Sequence, residues 1–156
     1  MSNQHLNNIE KLFLDSIKTK ELIVKDKLFT SLARMAEIAR ESITNKGKIM
    51  LCGNGGSAAD AQHLAAEMLV RLRPNYNREG IPAIALAQDT STITACGNDF
   101  GFVNLFERMV QSLGKEGDVL IAITTSGNSK NIILAMRAAK AMGIKVFAFL
   151  GSGGGE

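Results

Sequence analysis

Residues 49–71, IMLCGNGGSAADAQHLAAEMLVR, decide the fold that this sequence predicts. The apolar run at 49–52 is typical of a buried strand, and the glycines behind it predict a tight turn. A helix is expected from Ser57 to about Arg71, with Ser57 as its cap and Asp60 completing an arrangement close to the capping box. This order of strand, turn and helix leaves backbone N–H groups at a helix N-terminus, where phosphate groups bind well.

The chain beyond this stretch alternates between short apolar segments and helix-forming segments. The predicted strands are 48–52, 82–87, 118–124 and 145–150. The predicted helices between them are 57–72, 91–97, 102–113 and 130–142. Such alternation predicts an α/β fold of three layers, with a doubly wound parallel sheet covered by helices on both faces. Ligands of these sheets bind outside the carboxyl ends of the strands.

Two helices are predicted ahead of the sheet, at 3–24 and 27–46, and Gly47 is expected to stop the second. The second helix has one apolar face, which we expect to pack on its own domain. The first helix has apolar residues outside its main stripe as well, which favours the hypothesis that it packs on another subunit. These extra apolar residues are Leu6, Leu14, Leu22, Ile23 and Val24.

The whole chain of 156 residues is predicted to form one domain. Its parts are the helical pair at 1–47, the α/β core at 48–150 and a glycine-rich tail at 151–156. A buried strand at 145–150 should lead into another element. The tail therefore predicts either a loose edge of the domain or a shortened version of a longer protein.

Composition and charge exclude several classes of protein. No apolar run is long enough to span a bilayer and no secretory signal opens the chain, so we expect no membrane partner and a cytoplasmic location. Two cysteines in apolar company do not suggest a disulfide framework. The net charge of +3 forms no dense basic stripe, and Tyr76 is the only Tyr or Trp, so nucleic-acid binding is not expected.

The glycine loop at 53–58, GNGGSA, fits the dinucleotide-binding pattern G-x-G-x-x-A. That interpretation requires an acidic residue about twenty positions further on, at the end of the second strand. The nearest acidic residue at a strand end is Asp89, which lies much further along the chain, so the match is weak. The loop by itself leaves a phosphate site and a purely structural turn equally open.

A second loop, Thr124-Thr125-Ser126-Gly127-Asn128-Ser129, follows the strand at 118–124 and opens the helix at 130–142. Hydroxyl groups and free backbone N–H groups together form a phosphate cradle that needs no lysine. Two loops of this kind at the carboxyl ends of strands in one sheet favour a phosphate site over two structural turns.

His63 and Glu67 lie four residues apart and therefore share one face of the first helix of the core. They could be a surface pair or two zinc ligands, although a zinc site needs three or four, and His5 is far away in sequence. Glu67 could instead be a general base. The polar residues Asn98 and Asp99 could hold sugar hydroxyls, or form an Asx turn that caps the helix at 102–113.

With these residues in view, the chain resembles the sugar isomerase (SIS) domain family, and within it the phosphoheptose isomerases. The matching segments are CGNGGSAADAQHLAAE, LAQDTSTITACGNDFGF and GDVLIAITTSGNSKNIILA, which fall in order within residues 48–150. The resemblance implies a flavodoxin-like SIS fold and the isomerisation of sedoheptulose 7-phosphate to D-glycero-D-manno-heptose 7-phosphate by enediol-type proton transfer. It also implies a role in making lipopolysaccharide heptose, a cytoplasmic homotetramer and one zinc ion per subunit.

The resemblance also assigns roles to individual residues. Glu67 is the catalytic proton carrier, and His63 and Glu67 are zinc ligands. Arg71 is expected near the site because it lies one helical turn beyond Glu67. The substrate-binding residues are Asn54, Gly55, Gly56, Ser57, Glu67, Asn98, Asp99, Thr124, Thr125, Ser126 and Ser129.

Some features depart from the family pattern. The family has Ser where Thr124 stands, and small or polar residues where 68–70 are Met, Leu and Val. It also has a later helix whose Gln and His complete the zinc site, and these are missing from the sequence, so we expect phosphate binding with poor turnover. One alternative is a non-catalytic SIS protein that binds a replication initiator, but Asp60 and Glu67 favour the enzyme. Another is a sugar-phosphate-sensing module.

Overall fold

A computed structural model of the chain describes residues 3–151 and 153–155. The helices are α1 (Asn3–Lys25), α2 (Phe29–Thr44), α3 (Gly56–Leu69), α4 (Thr90–Asp99), α5 (Leu105–Leu113) and α6 (Lys130–Ala141), with a 3-10 turn at Phe102–Asn104 before α5. The strands are β1 (Ile49–Gly53), β2 (Ala83–Ala85), β3 (Val119–Thr124) and β4 (Lys145–Leu150). None of the helices in this part of the chain has the length and apolar character needed to cross a bilayer.

The chain divides into two compact units, and the boundary between Ile38 and Ala39 falls inside α2. In the first unit, α1 has no buried residue, and its apolar side chains are exposed, Phe13 by 68%. The predicted N-terminal helices are confirmed with small changes at their ends. Lys27 and Lys46, which have positive φ angles of 54° and 64°, lie just outside α2 and bound it, so Gly47 is not the residue that stops the helix.

The second unit contains a four-stranded sheet in the order β2-β1-β3-β4, and every neighbouring pair is parallel. The chain first moves outward from β1 to β2, then returns to the other side of β1 with β3. This reversal makes the gap between β1 and β3 the topological switch point, where open α/β sheets bind their ligands. The predicted doubly wound parallel sheet is confirmed.

Alternate residues of the strands enter two separate apolar clusters, one on each face of the sheet. Met50 and Cys52 of β1 pack with side chains of α4, α5 and α6. Ile49 and Leu51 pack with side chains of α3 and with the end of α2, through Ala39 and Ile43. This period-two alternation explains why the strands are apolar at almost every position, and it confirms the three layers.

A buried carboxylate ties the amino ends of β1 and β3 together. Asp118 is fully buried and accepts hydrogen bonds from the Lys48 backbone N–H (2.9 Å), the Lys48 Nζ (2.5 Å) and the Lys115 backbone N–H (2.9 Å). This satisfied group closes the end of the sheet opposite the switch point.

Several element boundaries differ from the predictions for local reasons. The predicted helix at 102–113 is divided into a 3-10 turn and α5, and Gly101, with a φ of 82°, lies just before the turn. The second strand shrinks to Ala83–Ala85, although the Pro82 carbonyl and the Leu86 N–H still bond to β1 at 2.9 and 2.8 Å. The helix predicted at 91–97 extends over 90–99.

Candidate functional site

The two predicted loops meet at the switch point. Asn54, directly after β1, and Asn131, in the first turn of α6 after β3, exchange two amide hydrogen bonds of 2.9 Å each. Asn131 is only 5% exposed. Sequence reasoning missed Asn131, although an Asn among the buried residues of the helix at 130–142 is a signal, because a buried amide needs partners. The pair fixes the first loop to the helix that the second loop opens.

The first loop is shaped by a glycine conformation. Gly55 has φ 56° and ψ −121° and caps α3, which begins at Gly56. The prediction that Ser57 caps this helix is therefore wrong: the turn takes a backbone conformation that favours glycine, and Ser57 lies inside the first turn. Gly55 and Gly56 are exposed, and a Cβ added at either would have no neighbour within 4 Å, so the outer face of the loop is open.

The hydroxyl groups of the second loop fall into two pairs. Thr124 is 4% exposed, and its Oγ1 lies 3.1 Å from the Oγ of Ser129, which makes no side-chain cap bond to α6. Thr125 and Ser126 are exposed, and the Ser126 Oγ accepts from the Asn128 N–H at 3.1 Å. The first pair supports the loop, and the second pair is accessible to a ligand.

The glycine-rich tail contacts the second loop through backbone atoms. The Gly151 N–H donates to the Thr125 carbonyl at 3.1 Å. A Cβ on Gly127, which has a φ of 68°, would lie 2.5 Å from the Gly154 carbonyl oxygen. The described residues of the tail therefore form one side of the second loop, and Gly127 accepts no side chain there.

His63 and Glu67 share a face of α3, as their spacing predicted. The His63 Nε2 lies 3.8 Å from the Glu67 Oε1, and the side chains are 73% and 29% exposed. Imidazole and carboxylate suit zinc, which takes three or four protein ligands. Within residues 3–151 and 153–155, however, no three His, Cys, Asp or Glu side chains are grouped to hold a metal. The pair fits zinc by its chemistry and supplies only part of a coordination sphere.

Two arginines near the end of α3 differ from the sequence expectation. The helix ends at Leu69 with Val70 as its C-cap, so Arg71 lies beyond it, and the argument from helical spacing is wrong. Arg78, which sequence reasoning missed, donates from Nη2 to the Glu67 carbonyl at 2.6 Å and from Nη1 to the Met68 carbonyl at 2.8 Å. No motif in the sequence marks Arg78.

Asn98 and Asp99 lie in the last turn of α4 and are exposed. The prediction that they form a turn is wrong, because α4 continues through them, and the Asx-cap alternative also fails, since Asn104 is the N-cap of α5. Among the described residues, their side chains hydrogen-bond to each other (2.7 Å) and not to either loop. Asp99 also lines a cavity of about 400 Å³ together with Arg108, whose guanidinium carbon lies 3.7 Å from the Phe100 ring centroid.

Two further titratable groups have structural roles. Asp89 caps α4, and its hydrogen bonds from the Thr92 side chain and from the backbone N–H groups of Thr92 and Ser91 lower the pKa of its carboxyl group. Because the Asp89 carboxylate is used as a helix cap, it is not free to bind a ribose hydroxyl, as the dinucleotide interpretation required. Burial raises the pKa of the Cys52 thiol to about 12, which keeps it protonated and unreactive.

Comparison with known proteins gives a consistent result. The SIS domain family model matches residues 12–151. The chain is 49% identical to phosphoheptose isomerase of Clostridium acetobutylicum over 96% of this chain and 76% of that protein. It is 45% identical to the Burkholderia pseudomallei K96243 enzyme of the same name, over 100% and 79%.

Solved structures agree with the sequence relatives. The phosphoheptose isomerase from Neisseria gonorrhoeae has a TM-score of 0.87 at 42% identity, covering 96% of this chain and 76% of that one. The one from Francisella tularensis has a TM-score of 0.89 at 39% identity, covering 99% and 78%. The chain thus spans about three quarters of the length of the relatives it matches.

Proposed function

The chain belongs to the SIS domain family and, within it, to the phosphoheptose isomerases, and on that premise we propose that it converts sedoheptulose 7-phosphate into D-glycero-D-manno-heptose 7-phosphate. The observation that carries the proposal is the junction of two open, hydroxyl- and glycine-rich loops at the switch point, beside a helix that bears His63 and Glu67. The product would serve lipopolysaccharide heptose synthesis.

The phosphate end of the substrate is assigned to the two loops. Helices α3 and α6 begin at these loops, and the N-terminus of each supplies partial positive charge and N–H donors to an anion. Thr125 and Ser126 add exposed hydroxyl donors. Binding energy gained at the phosphate orients the far end of the sugar without taking part in the chemistry.

The reacting end is assigned to Glu67. Glu67 lies ten positions after Ser57, which is a rise of about 15 Å along α3, and its side chain leans back toward the helix N-terminus. This separation suits a long substrate such as a seven-carbon sugar phosphate. Glu67, 29% exposed, takes a proton from the carbon beside the carbonyl, and an enediol forms before a proton returns to the neighbouring carbon. The predicted sugar contacts of Asn98 and Asp99 belong to this proposal.

We place a zinc ion on His63 and Glu67, which supply two ligands, with the remaining ligands coming from outside the residues described. When bound, zinc supplies a Lewis acid that polarises sugar oxygens. Measurement of one zinc per subunit, reduced by His63→Ala, supports this placement.

The proposal also includes the cellular setting and the assembly. Two free buried thiols, Cys52 and Cys96, suit the reducing cytoplasm. We propose a homotetramer on the family resemblance, and the apolar side chains that α1 exposes, such as Leu12 (69%) and Phe13 (68%), support contact with another subunit. A mass measured by sedimentation checks the assembly directly.

Replacement of Glu67 by Gln tests the function in the full-length protein, with zinc supplied and sedoheptulose 7-phosphate as substrate. We expect kcat to fall by about 10²–10⁴-fold, because a general base is lost, while the affinity for the sugar phosphate is kept. Glu116→Gln, an exposed change away from the site, is the matched control and should keep the wild-type rate.

Wild-type turnover in Glu67→Gln would remove Glu67 from the chemistry. Binding of the sugar phosphate by the wild-type protein with no turnover at all would instead favour the sensing module.

A further inference from the structure

The C-terminal end of α3 is completed by a residue from the following loop. The last carbonyl groups of a helix have no partner within it, and a basic side chain in the last turn often compensates. The last turn of α3 has no basic residue. Of its carbonyls, Ala66 accepts from the Val70 N–H at 2.9 Å, and Arg78 supplies hydrogen bonds to the next two, those of Glu67 and Met68.

The loop is fitted closely to the helix end around Arg78. The Ile81 N–H also donates to the Met68 carbonyl, at 3.0 Å, and a Cβ on Gly80 would lie 2.8 Å from the Leu69 carbonyl oxygen. Arg78 is the one half-buried residue among the exposed residues of 71–80, all of which are described. Its Nη1 further holds the Glu79 carbonyl at 2.8 Å, so one guanidinium group joins the loop to the helix.

From this geometry we propose that Arg78 is a positioning residue for the isomerisation, and that it acts by holding the backbone of Glu67. Its positive charge interacts favourably with the negative C-terminal end of the helix dipole. Its forked guanidinium donates to the backbone carbonyl of Glu67, whose carboxylate is the proposed proton carrier. The inference rests on the proposed function, because it assumes that the Glu67 carboxylate reacts.

The position of Glu67 explains why this contact matters for rate. Glu67 is the third residue from the end of α3, and helix ends fray. Without Arg78 the last turn moves, and the carboxylate moves with it. The first loop lies at the opposite end of α3, at Gly56, and the second loop precedes α6, so phosphate binding is unaffected. The loss should therefore appear in kcat and not in KM.

The test compares Arg78→Gln and Arg78→Lys with Arg73→Gln in the full-length, zinc-supplied protein. Arg73 is an exposed arginine of the same loop and makes the matched control. We expect Arg78→Gln to lower kcat by about 10–100-fold, as a misplacement of about 1 Å can do, with KM within about twofold of wild type. Arg78→Lys, which keeps the charge and loses the fork, should recover part of the rate.

Amide hydrogen exchange supplies a second readout. In Arg78→Gln, exchange in the last turn of α3 should accelerate, while exchange around Gly56 stays unchanged. Wild-type kcat in both Arg78 variants would overturn the inference, as would a loss confined to KM. If Arg78→Gln does not fold, a reduced kcat with wild-type KM in Arg78→Lys supports the inference, and wild-type kcat there overturns it.

The two proposals fail in distinguishable ways. An active Glu67→Gln variant refutes the role of Glu67 itself. An inactive Glu67→Gln variant together with fully active Arg78 variants refutes only the positioning role.

Discussion

At the scale of the residue, polar groups with satisfied partners set the geometry of the site. The reciprocal amide pair of Asn54 and Asn131 joins the two loops, and the Thr124 and Ser129 hydroxyls support the second loop from behind. The groups left accessible, Thr125 and Ser126, are the ones that can meet a ligand. The amide pair is therefore expected to affect both stability and phosphate binding.

Replacement of Asn131 by Ala leaves the Asn54 amide without its buried partner. We expect a loss of about 1–3 kcal/mol in the free energy of unfolding, which is the cost of an unsatisfied buried polar group, and a higher KM. Gln111→Ala, an exposed change on α5, should alter neither quantity. Urea unfolding and steady-state kinetics measure the two effects, and an unchanged KM would show that the loops do not depend on this pair.

Asp89 gives a pH dependence whose sign follows from its environment. Hydrogen bonds lower the pKa of this carboxyl group from the ordinary 3.8, so the charge stabilises the folded state fully above that pH, and the stabilisation is lost as the pH falls from 3.8 through the folded pKa. Asp89→Asn keeps a neutral cap and should lower Tm at pH 7, with a difference that shrinks as the pH falls through the folded pKa. A Tm difference that is constant from pH 7 to acid would contradict this role of the charge.

At the scale of the element, the turn between β1 and α3 depends on one glycine. Gly55 adopts φ 56° and ψ −121°, whereas Gly56 has no positive φ, and neither has a neighbour that a Cβ would meet. Because a side chain at either position meets no neighbour, the two glycines differ only in backbone conformation. Substituting each by Ala therefore measures the free-energy cost of the positive φ at Gly55.

Gly55→Ala should destabilise the protein by about 1–3 kcal/mol, because a side chain rarely adopts this conformation. Gly56→Ala should be neutral or stabilising by up to about 1 kcal/mol, because Ala is favoured over Gly within a helix. Chemical unfolding of both variants gives the comparison. Equal effects would mean that the turn conformation is not what requires Gly55.

The elements themselves could be predicted from the sequence where hydrophobic pattern decides them. Strands buried on both faces appear as apolar runs, and glycine turns mark the starts of α3 and α6. The residues at which elements end were harder to predict, because contacts with residues outside the element determine them. The end of α3 is completed by Arg78, eleven residues after Glu67, and nothing local predicts that contact. An Asn in the predicted helix at 130–142 was a local signal for a buried polar contact, but its partner Asn54 is 77 residues away and could not be identified from it.

At the scale of the whole molecule, the order of the strands brings distant segments together. The sequence predicted parallel strands and loops at their carboxyl ends, and the order β2-β1-β3-β4 makes the two hydroxyl- and glycine-rich loops neighbours. At the opposite end of the sheet, Asp118 accepts hydrogen bonds from the backbone N–H and the ammonium group of Lys48, so the two ends of the sheet have different roles. The position of the site therefore follows from the sheet topology and not from any single side chain.

A crystal structure of the inactive Glu67→Gln variant, full-length and with sedoheptulose 7-phosphate bound, tests the proposed site most directly. We expect the phosphate between the two loops, within hydrogen-bonding distance of the Thr125 and Ser126 hydroxyls. We also expect the substituted side chain within about 3.5 Å of the carbons that exchange the proton. A phosphate bound away from these loops, or reacting carbons turned away from position 67, would contradict the proposed site.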